Sequence, residues 1–243
     1  MDFRIISIGA LAAHPLWGER AQTPVRTGHA TTTLVRSGKR VILIDPGLPD
    51  QVVAARLGER AGLKPTDVTH VFLTSFKPDT TRGIMAFDHA TWWISEAERE
   101  GVGVPLVRRL QEAAQQGDQD MVELLQRDVA ILKRCEPAPD RLAEGVDLFP
   151  LPGVTPGTCG VLLAGSGSGG MSGRGARGPR GGPTTLVCGD AVATVEHLER
   201  GMVLHGALDV ELAQESFKEA IEIADILIPG RDNWTLNPVR RAF

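Results

Sequence analysis

The strongest constraint on what this chain can fold into is the run from Thr69 to Gly83, THVFLTSFKPDTTRG. Val71-Phe72-Leu73-Thr74 is short, apolar and rich in strand-favouring side chains, as a buried strand requires. It passes without a spacer into the polar loop Ser75 to Asp79, and a short helix starts near Thr80 or Thr81. A buried strand, a polar loop and a helix start in that order imply layered α/β architecture. The C-terminal end of such a strand is where these folds place ligands and chemistry.

The rest of the chain can be laid around that strand. Residues 3–9 read as a first strand and 10–30 as loop. Residues 31–36 and 40–45 are β-rich and joined by Ser37-Gly38-Lys39, a hairpin turn in which glycine takes the positive φ. Pro46 and Gly47 stop the second strand after Asp45. Asp50 is placed to cap a helix over 51–61, with Val53, Ala54, Leu57 and Ala61 as its buried stripe. A strand at 90–95 leads to Ser95-Glu96-Ala97-Glu98, which looks like a helix start. Residues 104–134 read as two helices broken near Gly117-Asp118. In the second, Met121, Leu124, Leu125, Val129 and Leu132 recur at helical spacing and read as core.

Residues 146–151 form a further strand, and 158–164 and 184–190 an antiparallel pair. Between that pair lies 165–183, GSGSGGMSGRGARGPRGGP, a low-complexity stretch expected to be a flexible hairpin insertion. Its three arginines have no aromatic neighbours and make a weak nucleic-acid motif. An amphipathic helix at 211–224 and a last buried strand at 225–229 close the pattern. Nothing in it resembles a linker or a repeat. The expectation is one domain over 1–243, an α/β (α+β) four-layer αββα sandwich.

Composition narrows the function classes. The chain has 243 residues, 42% of them hydrophobic, enough for one full core. A net charge of −4 gives no electrostatic case for nucleic acid or an anionic membrane. No apolar run reaches the roughly 18 residues of a spanning helix. IISIGALAA at 5–13 follows Asp2 and a single Arg, which suits an opening strand better than an export signal. Cys135, Cys159 and Cys188 are an odd number without close pairing, which fits a reducing compartment and three buried thiols. A cytoplasmic location is expected.

Four segments share a pattern when taken together: residues 73–83, Pro152-Gly153-Val154-Thr155-Pro156-Gly157, Cys188-Gly189-Asp190 and Pro229-Gly230-Arg231. In that order, within residues 30–234, they resemble the ligand segments of the metallo-β-lactamase superfamily, as Asp45-Pro46-Gly47 resembles its Asp-x-Gly turn. The resemblance implies the αββα fold, one or two zinc ions and hydrolysis. Against the family run Thr-His-x-His-x-Asp-His-x-Gly-Gly, Thr74, Asp79 and Gly83 match. Ser75, Lys77 and Thr80 stand in place of its three histidines, and Arg82 replaces the first glycine of its pair. Val154 and Arg231 take the places of two later histidines, and Asp190 matches the bridging aspartate.

Zinc takes nitrogen, sulfur or oxygen donors, mostly histidine in hydrolytic sites. Ser, Thr and Val are poor ligands or none, and Lys and Arg are cations. The expectation is therefore no metal and no cofactor, the zinc site being lost. The chain is expected to be a non-catalytic member that binds a small anionic ligand or a protein partner. The alternative is a metal-dependent hydrolase of an ester, thioester or lactone with an atypical metal site. Neither membrane nor nucleic acid is an expected partner, and a dimer is compatible with the family. Unpaired buried carboxylates are costly, so Lys77 and Arg231 are expected to pair with Asp79 and Asp190. Asp79 also argues against a Ser75–Lys77 catalytic pair, since it would keep the lysine charged. His14, His29, His70, His89, His197 and His205 read as surface or core histidines, not as a rebuilt metal site.

Overall fold

The computed structural model describes residues 1–165 and 182–240. Most of the stretch expected to be a flexible insertion lies outside the described residues.

Two six-stranded sheets carry the fold. The first holds β1 (Asp2–Ser7), β2 (Thr32–Ser37), β3 (Arg40–Ile44), β4 (His70–Leu73), β5 (Thr91–Ile94) and β6 (Glu136–Pro137), side by side in chain order. β1, β2 and β3 are antiparallel, and β3 through β6 run parallel. The second sheet holds β7 (Arg141–Ala143), β8 (Val146–Pro150), β9 (Cys159–Leu163), β10 (Thr185–Gly189), β11 (Ile226–Pro229) and β12 (Thr235–Leu236), again in order. Among the described residues only β10 and β11 are parallel there. The helices are α1 (Asp50–Ala61), α2 (Pro78–Thr81), α3 (Glu96–Gln116), α4 (Gln119–Arg134), α5 (Val195–Arg200) and α6 (Val210–Ile223).

Strand alternation builds the layers. On β4, Val71 and Leu73 face α1, α3 and α4, where Val53, Leu57, Leu106 and Leu132 meet them. Phe72 points the other way, with Ile42, Ile44 and Trp93, onto Val161, Leu163, Val187 and Ile228 of the second sheet. That sheet turns Leu186, Cys188 and Leu227 outward to Leu198 of α5 and Phe217 and Ala220 of α6. The order is helix, sheet, sheet, helix, because each sheet has two apolar faces that need cover.

Three local expectations need correction. The helix start read at Ser95 to Glu98 and the helix read from 104 are one helix, α3, which runs unbroken through Gly101, Gly103 and Pro105. Its burial against the first sheet and α4 overrides those weak helix formers. Asp50 does not cap α1; it lies in the first turn behind Pro49, where it faces the positive helix end. Leu124 is 46% exposed, while Leu125, Ile131 and Leu132 are buried, so the buried face of α4 is rotated from the expected stripe. The three cysteines are free and buried, and burial pushes the Cys135 and Cys159 thiols up to about 12. No helix among the described residues is long and apolar enough to cross a membrane.

Candidate functional site

The loops after β4, β8, β10 and β11 converge at one edge of the sandwich. Close backbone packing holds them there. Gly189 takes a left-handed φ of 53° against the Thr74 side chain, and a Cβ on Gly230 would run into the Gly189 backbone. Pro78 opens α2 with a missing N–H where none is needed. Thr80 closes that loop from inside: its Oγ1 donates to the Ser75 and Lys77 carbonyls at 2.8 and 2.9 Å and accepts from the Lys77 N–H. Thr80 is thus a loop tie. Ser75 is fully buried with no partner for its Oγ among the described residues, and Val154 is a buried apolar wall.

Four charges meet at the centre. Arg231 donates from Nε to Asp190 Oδ1 and from Nη2 to Oδ2, each at 2.8 Å, a two-pronged pairing. Lys77 Nζ donates to the same Oδ2 at 2.8 Å. Arg231 Nη1 lies 2.7 Å from Asp79 Oδ2, an ion pair whose angle does not make a hydrogen bond; Asp79 Oδ1 also has no hydrogen-bond partner among the described residues. Asp190 and Arg231 are buried, while Lys77 and Asp79 keep about a quarter to a third of their side chains exposed. Burial would raise the Asp190 carboxyl, but Arg231 and then Lys77 hold it well below the usual carboxylate range. Burial would lower Arg231, and Asp190 more than offsets that. The structure thus brings Lys77, Asp79, Asp190 and Arg231 into contact, with Ser75, Thr80 and Val154 in the same loops.

Two carboxylates that sequence reasoning did not assign complete the site. Asp45, buried at the end of β3, accepts from the Thr74 N–H at 2.9 Å and from Thr74 Oγ1 at 2.6 Å. Its φ of 50° is unusual for a residue other than glycine and aims the side chain at Thr74. Burial pushes its carboxyl up to about 7, against the pull of the Thr74 hydrogen bonds. Glu98, in the first turn of α3, is fully buried. It accepts from the Phe76 N–H at 2.7 Å, from Thr155 Oγ1 at 2.7 Å and from the Gly157 N–H at 2.9 Å. It therefore ties the 75–80 loop to the 152–157 loop. The signal was the Ser95-x-x-Glu98 spacing of a capping box; Ser95 caps α3, and Glu98 reaches across the site instead of back.

Two histidines lie nearby, buried. His14 Nε2 is 3.2 Å from Thr194 Oγ1, which is 2.9 Å from His197 Nδ1. Glu196 takes the Trp17 indole N–H at 3.0 Å and lies 3.3 Å from His14 Nε2. Burial lowers the His197 pKa, and His14 adds to that. This cluster pins the 10–30 loop to the start of α5. It lies apart from the four charges and shares no hydrogen bond with them among the described residues.

The donors at the central pocket do not fit zinc as they stand. Both oxygens of Asp190 are engaged by cations, and positions 75, 77, 80, 154 and 231 offer no imidazole. Among the described residues, no group of three or more His, Cys, Asp or Glu is placed to hold a metal ion.

Known proteins bear on this geometry. A model of the metallo-beta-lactamase superfamily matches residues 25–230. A Thermotoga maritima protein assigned to the metallo-beta-lactamases superposes with a TM-score of 0.63 at 17% identity, over 97% of this chain and 98% of its own. AidC, described as a dizinc quorum-quenching lactonase in complex with a product, gives 0.58 at 17% identity over 83% and 72%. A B. thuringiensis AiiA mutant with N-decanoyl-L-homoserine bound at its active site gives 0.61 at 19% over 95% and 92%. At such identities the likeness is one of fold. No curated protein matches the sequence. The expectation of no metal cofactor is corrected here: the neighbours include a dizinc enzyme, and they point to zinc as an occupant of this fold.

Proposed function

The chain belongs to the metallo-β-lactamase superfamily, and on that premise we propose that it works by binding, with a small anionic ligand or a protein partner, and not by hydrolysis. One observation carries this reading: Asp190, the carboxylate that bridges in the family pattern, accepts three hydrogen bonds from Arg231 and Lys77. A carboxylate held that far below its usual range is no general base near neutral pH. Ser75 Oγ has no base bonded to it among the described residues either, and Lys77 gives a hydrogen bond to Asp190. What remains free is donor capacity. Among the described residues Ser75 Oγ has no hydrogen-bond partner, and the Lys77 ammonium is partly exposed, while Arg231 Nη1 is taken up by its ion pair with Asp79. A carboxylate or phosphate oxygen suits those donors.

A second reading has its own support. The structural neighbours described as lactonases favour a metal-dependent hydrolase of an ester, thioester or lactone with an atypical metal site. Metal content is therefore measured and not assumed. The purified protein is assayed by mass spectrometry for metal, then with a γ-lactone, a p-nitrophenyl ester and a thioester, with and without added Zn²⁺ or Mn²⁺. Phosphate and acetate are titrated in parallel and followed by amide chemical shifts. The binding reading expects saturable shifts around 75–80 and 231, weakened in Lys77→Met, and no turnover above buffer. Turnover that rises in step with bound metal overturns it.

A further inference from the structure

A groove of about 640 Å³ runs between α3 and α4, on a part of the molecule that none of the pocket residues lines. Its apolar surface comes from Val104, Val107, Val129 and Leu132. Val104 is 68% exposed and Val107 43%, an unusual outlay of branched aliphatic surface on one helix face. Gly103 contributes by having no side chain: a Cβ there would meet Leu132 at 3.8 Å, so the space above Leu132 stays open. The rim carries Arg99, Arg108 and Lys133 against the single carboxylate of Glu100. Among the described residues, no ion pair involves these three cations.

An apolar trough with an unpaired cationic rim selects for chemistry. A neutral hydrocarbon would leave the rim charges without a partner. A cationic amphiphile would be repelled. A second copy of this chain docking the same face would bring like charges together. We propose that the α3–α4 groove is a binding site for a single-chain anionic amphiphile, its hydrocarbon tail over Leu132 and its acid group between Arg108 and Lys133. The volume lies in the range of small-molecule sites, and hydrogen bonds between ions are the stronger kind. The site is separate from the central pocket, so either assignment stands or falls alone.

The test uses the full chain and dansyl-undecanoate as a fluorescent probe. One saturable site is expected, displaced by decanoate at least about tenfold more readily than by decanol, a gap of about 1.4 kcal/mol. Decyltrimethylammonium should not displace it. Lys133→Glu should weaken the probe by about tenfold. Gly103→Leu should abolish binding by filling the trough, while raising helix propensity, so loss of fold is not the cause. Absence of saturable binding, equal displacement by the cationic detergent, or unchanged binding in Gly103→Leu overturns the proposal. So does an acidic amphipathic peptide that displaces the probe at lower concentration than decanoate, or a dimer in sedimentation equilibrium that Lys133→Glu disperses.

Discussion

Two carboxylates in the converging loops are equally buried, Asp45 and Asp190, each 2% exposed, yet they are held in opposite ways. Asp190 sits against two cations and is kept well below the usual carboxylate range. Among the described residues Asp45 has only the neutral N–H and O–H of Thr74 as hydrogen-bond donors, and burial pushes it up to about 7. Burial alone does not set the charge in this pocket; the reach of the side-chain cations does. The Arg231 guanidinium spans Asp79 and Asp190, and Lys77 closes the remaining side.

The largest test of that contrast removes the spanning cation. Arg231→Leu leaves Asp190 with Lys77 alone and Asp79 with no ion-pair partner among the described residues. Breaking one side of a buried ion pair costs about 3–5 kcal/mol, because a charge is stranded in low dielectric. Urea unfolding should show that loss, and adding Asp190→Asn to the same chain should recover part of it. A midpoint equal to that of the unaltered chain would show that the cations do not hold Asp190.

Glu98 is a third buried carboxylate in these loops, and its three donors are two backbone N–H groups and one hydroxyl. Glu98→Ala strands the Phe76 and Gly157 N–H groups, with an expected cost of about 2–3 kcal/mol. Hydrogen exchange at Phe76 and Gly157 should accelerate before the strands do. Uniform exchange across the molecule would mean that Glu98 holds the whole fold and not the two loops.

Much of this was legible in the chain. The β4 run, the hairpin at Gly38 and the apolar face of α6 are local patterns of apolar spacing and turn chemistry, and local patterns survive folding. The positions of Lys77, Asp79, Asp190 and Arg231 could be read because a motif fixes which strand end carries each. Asp45 and Glu98 could not be assigned, because their partners, Thr74 and Gly157, come from other strands and loops. The start of α3 was read at Ser95 to Glu98, but its continuity into the stretch from 104 was not: Gly101, Gly103 and Pro105 argue against a helix, and the packing that overrules them is tertiary. The expectation about cofactors rested on side-chain identity at five positions, and a dizinc neighbour of the same fold corrects it.

The pH dependence of the two carboxylates should differ in sign. Asp45 binds its proton more tightly folded than unfolded, so its contribution to stability falls as pH rises from the ordinary carboxylate value of 3.8 to about 7. Asp190 binds its proton less tightly when folded. Its contribution is fully present above the ordinary value and is lost only as pH falls through and below it. Asp45→Asn should therefore flatten the decline in stability between pH 5 and 7, by at most about 1.4 kcal/mol per pH unit, the limit for one proton. Thermal unfolding at stepped pH reads it directly. An unchanged slope would mean that Asp45 is ionised like Asp190, and the two corners would no longer differ.

The smallest expected effect asks whether pairing alone, without burial, can do what Arg231 does. Arg56 and Glu59 pair at 3.0 Å on α1, with half or more of each side chain in solvent. The distance resembles that of Lys77 to Asp190, but water screens both charges and both side chains lose rotamer freedom in holding the geometry. Arg56→Ala should change stability by less than about 0.5 kcal/mol, and that change should vanish in high salt. If Arg56→Ala cost as much as Arg231→Leu, short distance would be the stabilising factor and the burial of Asp190 incidental. If it costs nothing, the pocket's charges matter because the surrounding loops exclude the solvent that would otherwise replace each partner.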